Sequence, residues 1–184
     1  MPDSRRLTIE YRTHVRVDRL IDVLCYTVQE IALGFDRWGE SRVYGPGMYL
    51  AVVVGPSVET IADPMGENRW PEAATRDVLH GDDAFVAAAE EVAYTFDGAV
   101  LVSVDGIVQP QMVRFRMADI DPDLEYAPWM GARHMSALDV STRSDVLAAI
   151  TLSEETGRVT RFENGTYESL EREELGAPWL DDRE

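Results

Sequence analysis

Two short apolar runs constrain the fold of this chain more than any other feature of its sequence. The run MYLAVVVG, from Met48 to Gly55, is rich in β-branched residues and lies between a Pro-Gly and a Gly-Pro pair. The run VLAAITL, from Val146 to Leu152, has the same character. Short runs without polar alternation are typical of strands that are buried on both faces. Such strands need helices on both sides of their sheet, and the rest of the chain must supply them.

Helical periodicity appears in four other segments. From Asp18 to Leu33 the apolar residues recur at intervals of three and four, and Gly34 is a plausible stop. Residues Pro71–Leu79 and Asp82–Tyr94 predict two further helices, and the second has acidic residues near its start, where the helix dipole favours them. A short helix is predicted over Arg133–Leu138.

The remaining strands are predicted around two turn dipeptides. Asp105-Gly106 lies between apolar runs at Gly98–Ser103 and Ile107–Phe115, which is a strong signal for a hairpin. RVTRF follows a polar turn, and Asn164-Gly165 offers a second hairpin turn. The segment after Gly55 is rich in Pro, Gly and Asn and predicts a polar loop. The end of the chain, ESLEREELGAPWLDDRE, predicts a charged helix and a loose end.

Strands that alternate with helices, together with two hairpins, predict an α/β fold with a central mixed β-sheet flanked by helices on both faces. The length of 184 residues fits one domain, 1–184, with its core at about 18–168 and a charged C-terminal tail at 169–184. We see no repeat and no linker in the sequence.

The charge of the chain is unusual in sign and in composition. There are 34 acidic against 17 basic side chains, a net charge of −17, and every basic residue is arginine. Strong salt screening makes the self-repulsion of such a surface tolerable, so the composition favours a protein adapted to high salt. A merely acidic protein of an ordinary cytoplasm would leave the missing lysines unexplained.

Charge and hydropathy also exclude some classes of function. Non-specific binding to nucleic acid needs many cationic contacts to phosphates, so no nucleic-acid partner is expected. No stretch approaches the ~20 apolar residues that cross a bilayer, and the charged N-terminus does not resemble a signal peptide. We therefore expect a cytoplasmic protein without a membrane partner.

Three short segments at the predicted edges of strands or helices carry residues suited to chemistry, and each also has a plain structural explanation. FDGAV places Asp97 and Gly98 at the entry to a buried strand, although an Asp-Gly pair there is by itself most often a turn. GARHM places Arg133 and His134 at a helix start, where amides and a guanidinium can bind phosphate, although the pair also suits a solvated helix end. SEETG, from Ser153, is by itself a polar hairpin, and its hydroxyls and carboxylates also suit phosphate or a metal ion.

Taken together and in this order, DGA, the Arg-His pair after a glycine, and SEETG after an apolar strand resemble the nucleotide-binding domain of the diadenylate cyclase family. The same catalytic domain occurs in DNA integrity scanning proteins. The resemblance extends from about Leu20 to Thr166 and is strongest from GARHM to the Asn-Gly pair. It implies that two ATP molecules are joined into cyclic di-AMP, with release of two pyrophosphates, across the face-to-face contact of a homodimer or larger homo-oligomer.

The resemblance also implies a role for particular residues. Asp97 would orient or deprotonate the attacking ribose 3′ hydroxyl, Arg133 would neutralise phosphate charge, and His134 would contact phosphate or metal. Asp97 and His134 are the metal-ligand candidates, and the metal would be Mn²⁺ or Mg²⁺. The predicted ATP-binding residues are Gly98, Ala99, Gly131, Ala132, Ser153, Glu154, Glu155 and Thr156.

The chain departs from the family pattern GTRHR at two positions. Ala132 replaces the threonine, and Met135 replaces the second arginine. Loss of a charged hydrogen bond to phosphate costs about 1.5 to 3 kcal/mol. The departures leave three alternatives open: slower turnover, compensation by Arg143, Arg114 or Arg116, and a degenerate domain that binds ATP or cyclic di-AMP without cyclising ATP.

Overall fold

The computed structural model describes residues 10–55, 60–116 and 121–176. Three α-helices, seven strands and two short 3₁₀ helices at Tyr11–Thr13 and Arg172–Glu174 make up this part of the chain. In chain order the main elements are α1 (Val15–Gly34), β1 (Met48–Val53), β2 (Ala62–Arg69), α2 (Asp82–Thr95), β3 (Val100–Ser103), β4 (Gln111–Phe115), α3 (Ala132–Ser141), β5 (Val146–Leu152), β6 (Val159–Glu163) and β7 (Thr166–Leu170).

The central sheet has five strands in the order β3-β1-β5-β6-β7. Strands β1 and β3 are parallel, with Ala51 opposite Leu101, whereas all the other pairs in this sheet are antiparallel. Every residue of β1 and β5, the two apolar runs of the sequence, is buried. The predicted mixed sheet is therefore confirmed, and its two most apolar strands lie side by side.

Helices cover both faces of this sheet, as predicted. Alternate residues of β1 belong to different clusters: Leu50 and Val52 pack in the core with α1 and α2, while Tyr49 and Ala51 pack in the core with α3. This division follows from the alternation of side chains along a strand. None of the helices in the three described ranges combines the length and the hydropathy needed to span a membrane.

The hairpin around Asp105-Gly106 is present, but its second arm also joins a strand that the sequence did not predict. Gly106 has a φ of +87°, and Val102 pairs antiparallel with Val108. Further along, β4 pairs with β2 in a two-stranded sheet. Strand β2 lies in the segment after Gly55 that was predicted to be a polar loop. Only one side of β2 is paired and most of it is at least partly exposed, so it lacks the apolar pattern by which a strand is recognised.

The predicted helix over Pro71–Leu79 is wrong. The segment folds as consecutive turns that its own side chains stabilise: the indole of Trp70 donates to the carbonyl of Thr75, and the Asp77 carboxylate accepts hydrogen bonds from the backbone N–H groups of Leu79 and His80. Such local bonds compete with the helical hydrogen-bond pattern.

The end of the described chain is also different from the prediction. The hairpin at Asn164-Gly165 is confirmed, with φ values of +51° and +73°, and it leads into β7. The predicted charged helix is replaced by the last residues of β7 and the 3₁₀ turn at Arg172–Glu174. Leu175 beyond this turn is buried in the core on the α1 side. Residues 177–184 of the predicted tail lie outside the described residues.

Candidate functional site

The three motif segments, which are separated by up to about 60 residues of sequence, meet at one cavity on the α3 side of the sheet. The cavity has a volume of about 700 Å³. All of the predicted site residues except Thr156 line it, and these are Asp97, Gly98, Ala99, Gly131, Ala132, Arg133, His134, Ser153, Glu154 and Glu155. Thr156 instead stabilises the turn, because its hydroxyl accepts a hydrogen bond from the backbone N–H of Arg158.

Arg133 connects the three segments. It lies in the first turn of α3, which starts after Gly131, and its guanidinium points to the ends of two other elements. Nη2 lies 3.5 Å from Oδ1 of Asp97 and 3.7 Å from Oε2 of Glu154, and Nη1 donates to the carbonyl of Leu152 at 3.4 Å. These distances are longer than those of a tight bidentate ion pair, about 2.7 to 2.9 Å. The guanidinium is therefore held loosely and can accept a stronger anionic partner.

Asp97 lines the cavity just after α2 ends. Its side chain is 75% exposed, and Oδ1 accepts a hydrogen bond of 2.8 Å from the backbone N–H of Gly98. Gly98 has a φ of +115°, and a Cβ there would lie 3.1 Å from the Met65 side chain and 3.3 Å from the Val113 carbonyl. A glycine is thus required at this position, and it fixes where the Asp97 carboxylate enters the cavity.

His134 lies at the base of the cavity and is only 6% exposed. Its ring packs edge-on against Trp129 at 5.1 Å, and Phe162 lies 6.4 Å away. Its Nε2 has no hydrogen-bond partner among the described residues. Burial, reinforced by the positive charges of Arg133 and Arg158, lowers the pKa of His134 to about 4. The imidazole is therefore neutral at pH 7, and any contact with phosphate would use a neutral nitrogen.

The cavity is also lined by aromatic residues that motif analysis did not single out. Tyr49 and Phe115 line it with ring centroids 5.7 Å apart, and the Tyr49 hydroxyl lies 3.2 Å from Oγ of Ser136. The Tyr126 hydroxyl donates to Asp139, which raises the pKa of Tyr126 to about 12. In the sequence Tyr49 resembles any other residue of a buried strand, so no local signal could have identified it.

The arginines that could compensate for Met135 differ in availability. Ala132 and Met135 line the cavity, and Met135 is 37% exposed. Arg114 and Arg116 line it as well, but Arg116 pairs with Asp63 at 2.6 Å, whereas Arg114 is exposed and has no ion pair with any described residue. Arg143 pairs with Asp145 and is not among the residues that line the cavity.

The fit of a divalent metal depends on which ligands the chain supplies. In residues 10–55, 60–116 and 121–176 no three or more His, Cys, Asp or Glu side chains are grouped in a way that could hold a metal ion. Asp97 nevertheless presents an exposed carboxylate to the cavity, and Mg²⁺ is commonly bound by one or two carboxylates together with substrate phosphates. The site therefore fits a metal that is shared with a phosphate ligand. The predicted metal contact of His134 would have to come from a ring whose Nε2 is buried.

Comparison with known proteins links this cavity to a family. Residues 85–167 match the family model described as DisA bacterial checkpoint controller nucleotide-binding. None of the curated proteins matches the chain. The matched segment includes all three motifs and therefore every predicted site residue that lines the cavity.

Two solved structures are similar in fold. A hypothetical membrane spanning protein from Bacillus cereus is 19% identical with a TM-score of 0.56, and the match covers 82% of this chain and 62% of that one. DacA from Staphylococcus aureus, as a double cysteine mutant, is 16% identical with a TM-score of 0.53, and the match covers 89% of this chain and 95% of that one. This chain thus spans about 62% of the length of the Bacillus cereus structure. The resemblance of the sequence to the diadenylate cyclase (DisA-type nucleotide-binding) domain family is confirmed by the family match over residues 85–167.

Proposed function

We propose that this protein is a diadenylate cyclase, a nucleotidyltransferase that condenses two ATP molecules into cyclic di-AMP and releases two pyrophosphates. The observation that carries the proposal is the position of Arg133, whose guanidinium lies between Asp97 and Glu154 and so joins the three family motifs at one cavity. The Arg133 guanidinium suits the phosphates of a nucleotide, and the rings of Tyr49 and Phe115, which also line the cavity, suit a purine base.

In the proposed reaction each subunit of a face-to-face homodimer holds one ATP. The 3′ oxygen of each ribose forms a bond to the α-phosphorus of the other ATP, the bond from that phosphorus to pyrophosphate breaks, and the hydroxyl proton passes to Asp97 or to solvent. Catalysis would consist mostly of positioning and charge neutralisation. Arg133 would neutralise phosphate charge, and Ser153 and Glu155 would hold the polyphosphate end.

A divalent cation, Mn²⁺ or Mg²⁺, is part of the proposal. When bound, it would offset the charge of the polyphosphate and of the departing pyrophosphate. Asp97 is the residue best placed to share such an ion with the substrate, since its carboxylate is exposed in the cavity. His134 would contribute a neutral nitrogen near the phosphates and would bring no positive charge at pH 7.

The acidic, lysine-free composition sets the conditions under which this function is tested. We propose that the protein acts in the cytoplasm of a salt-adapted cell, without a nucleic-acid or membrane partner, because its charge of −17 disfavours polyanions and is best tolerated at high ionic strength. Assays therefore belong in multimolar KCl.

The test is product formation. Purified protein with ATP and Mn²⁺ or Mg²⁺ is expected to yield cyclic di-AMP and pyrophosphate, identified by chromatography and mass spectrometry. Asp97→Asn is expected to lower the rate at least about 100-fold with an unchanged melting temperature, since it removes the carboxylate nearest the attacking hydroxyl. Asp83→Asn, which alters an exposed carboxylate in the first turn of α2, is the matched control. Equal rates for wild type and Asp97→Asn would refute the role of Asp97.

A second candidate function is binding without turnover. Ala132 and Met135 both line the cavity, where the family pattern has a hydroxyl and a cation, so the site holds fewer phosphate ligands than that pattern provides. The double substitution Ala132→Thr with Met135→Arg separates the two functions. A rise from undetectable to measurable product would support a degenerate nucleotide-binding domain, and little change from an active wild type would support the cyclase.

A further inference from the structure

The connection between α1 and β1, residues 35–47, contacts two residues that line the cavity, Arg133 and Glu154, and lies outside the residues that match the family model. The backbone N–H of Gly45 donates to the carbonyl of Glu154 at 2.8 Å, within SEETG. The backbone N–H of Gly47 donates to the carbonyl of Ala93 at 3.0 Å, near the end of α2 that leads to Asp97. The connection therefore joins the ends of two elements that carry charged residues of the cavity.

Trp38 attaches this connection firmly to the SEETG turn. Its indole N–H donates to the carbonyl of Ala32 at 3.0 Å. A Cβ at Gly45 would lie 2.3 Å from the Trp38 ring, and a Cβ at Gly157, the glycine of SEETG, would lie 2.9 Å from it. The ring is thus packed between two glycines, one in the connection and one in the motif. This packing fixes the path by which the backbone reaches Gly47.

Gly47 lies directly against the guanidinium of Arg133. A Cβ at this position would be 2.6 Å from Nη1 of Arg133, 3.0 Å from Oε2 of Glu154 and 3.1 Å from Cβ of Glu154. Gly47 does not have a positive φ, so the backbone itself would accept alanine. The absence of a side chain at Gly47 therefore provides space for the Arg133 guanidinium.

The other glycine beside Arg133 shows that this constraint is specific. Gly131 precedes α3 and lines the cavity, but a Cβ added there would meet no atom within 4 Å. Gly131 of the motif thus has open space around it, whereas the close contact with Arg133 is made by Gly47, about 85 residues earlier in the chain. No spacing rule in the sequence connects Gly47 to Arg133.

We infer that Gly47 is a positioning residue, whose missing side chain allows the Arg133 guanidinium to lie between Asp97 and Glu154, where it meets the phosphates of the nucleotide. That the guanidinium meets nucleotide phosphates rests on the proposed function, whereas the position of the guanidinium does not. Alanine at 47 would move the tip of a flexible side chain and leave the backbone unchanged, so the expected defect is local to Arg133.

The first experiment needs no nucleotide. The Nε–Hε resonance of Arg133 is identified by its loss from the NMR spectrum of Arg133→Gln and is then compared among variants. Gly47→Ala is expected to shift it clearly while the melting temperature stays within a few degrees. Gly34→Ala, at the end of α1 with no atom within 4 Å of an added Cβ, is the matched control and is expected to leave it unchanged. An Arg133 resonance unaffected by Gly47→Ala would overturn the inference.

The second experiment is a double-mutant cycle on ATP binding measured by calorimetry. Gly47→Ala is expected to weaken binding roughly tenfold, as for one impaired charge-assisted hydrogen bond. In an Arg133→Gln background, where the side chain ends short of Nη1, the same change is expected to have little further effect. A full tenfold loss in both backgrounds would show that Gly47 acts through Glu154 or the backbone, and it would overturn the assignment to Arg133.

The two proposals fail in different ways. If the wild-type protein does not bind ATP, the proposed function is refuted, and the Arg133 resonance alone decides the role of Gly47. If the wild type binds ATP and Gly47→Ala binds it equally well, nucleotide binding at this cavity stands, product formation still decides the proposed function, and Gly47 is not a positioning residue.

Discussion

The two faces of the central sheet are built from the same strands but have different chemistry. On the face covered by α1 and α2, residues such as Leu24, Leu50 and Val100 form a continuous apolar core. Its buried polar side chains Thr27 and Gln29 both have partners: Thr27 donates to the carbonyl of Val23, and Gln29 accepts a hydrogen bond from the backbone N–H of Gly176. This face has the composition expected of a region that stabilises the fold.

The face covered by α3 contains the cavity, and some of its buried polar atoms have no hydrogen-bond partner among the described residues. His134 Nε2 and Thr151 Oγ1 are the buried side-chain polar atoms without a partner in the part of the chain that the structure describes. Ala149 of β5 packs on the α3 side, so Thr151, two residues on, points to the same face as Ala149. One sheet can thus have a continuous apolar core on one face and a cavity lined by charged and polar residues on the other.

Stability is expected to depend most strongly on the α1 face. Leu24 is fully buried, so Leu24→Ala is expected to lower the free energy of unfolding by about 2 to 5 kcal/mol through lost burial and a residual cavity. ATP affinity of the folded variant is expected to be unchanged. Urea unfolding and calorimetry check the two quantities, and Leu33→Ala, which alters a side chain that is 55% exposed, is the control. A large loss of affinity in Leu24→Ala would mean that the two faces are not independent.

The next effect is a dependence of stability on pH that arises on the α3 face. The pKa of His134 is about 4 in the folded protein, compared with about 6.5 for an ordinary histidine, so the unfolded chain binds a proton between these values and the folded chain does not. The contribution is fully present above about pH 6.5 and is lost as pH falls toward 4, by up to about 3 kcal/mol.

Urea unfolding at pH 7 and at pH 4.5 measures this contribution. The loss of stability on acidification is expected to be smaller in His134→Phe than in the wild type, because the titrating group is gone. Thr151→Val, which changes a buried side chain on the same face that does not titrate, is expected to show the same loss as the wild type. Identical losses in wild type and His134→Phe would contradict a buried neutral imidazole.

The smallest effect concerns Thr151. A buried hydroxyl without a partner costs free energy, so Thr151→Val, which keeps the shape, is expected to raise the free energy of unfolding by about 1 kcal/mol. Thr151→Ser keeps the hydroxyl, removes a methyl group, and is expected to be destabilising. Both are measured by urea unfolding at pH 7. Destabilisation by Thr151→Val would show that the hydroxyl has a partner, such as a buried water molecule.

Much of the fold was predictable because the relevant signals are local. The buried runs of β1 and β5 and the periodicity of α1 report burial directly, and the two turn dipeptides mark their hairpins. The predictions failed where burial is partial or side chains form local hydrogen bonds. β2 pairs on one side only, and the turns after Trp70 replace a helix because Asp77 accepts backbone hydrogen bonds.

Some properties of the site were also predictable from the sequence, and others depend on long-range contacts. The class of fold and the three motif segments follow from patterns among neighbouring residues, and the resemblance to diadenylate cyclases follows from the order of those segments along the chain. The folded structure, by contrast, places Thr156 outside the cavity, keeps His134 neutral and lets Gly47 make space for Arg133. These properties depend on desolvation and on contact between distant segments, which no local pattern encodes.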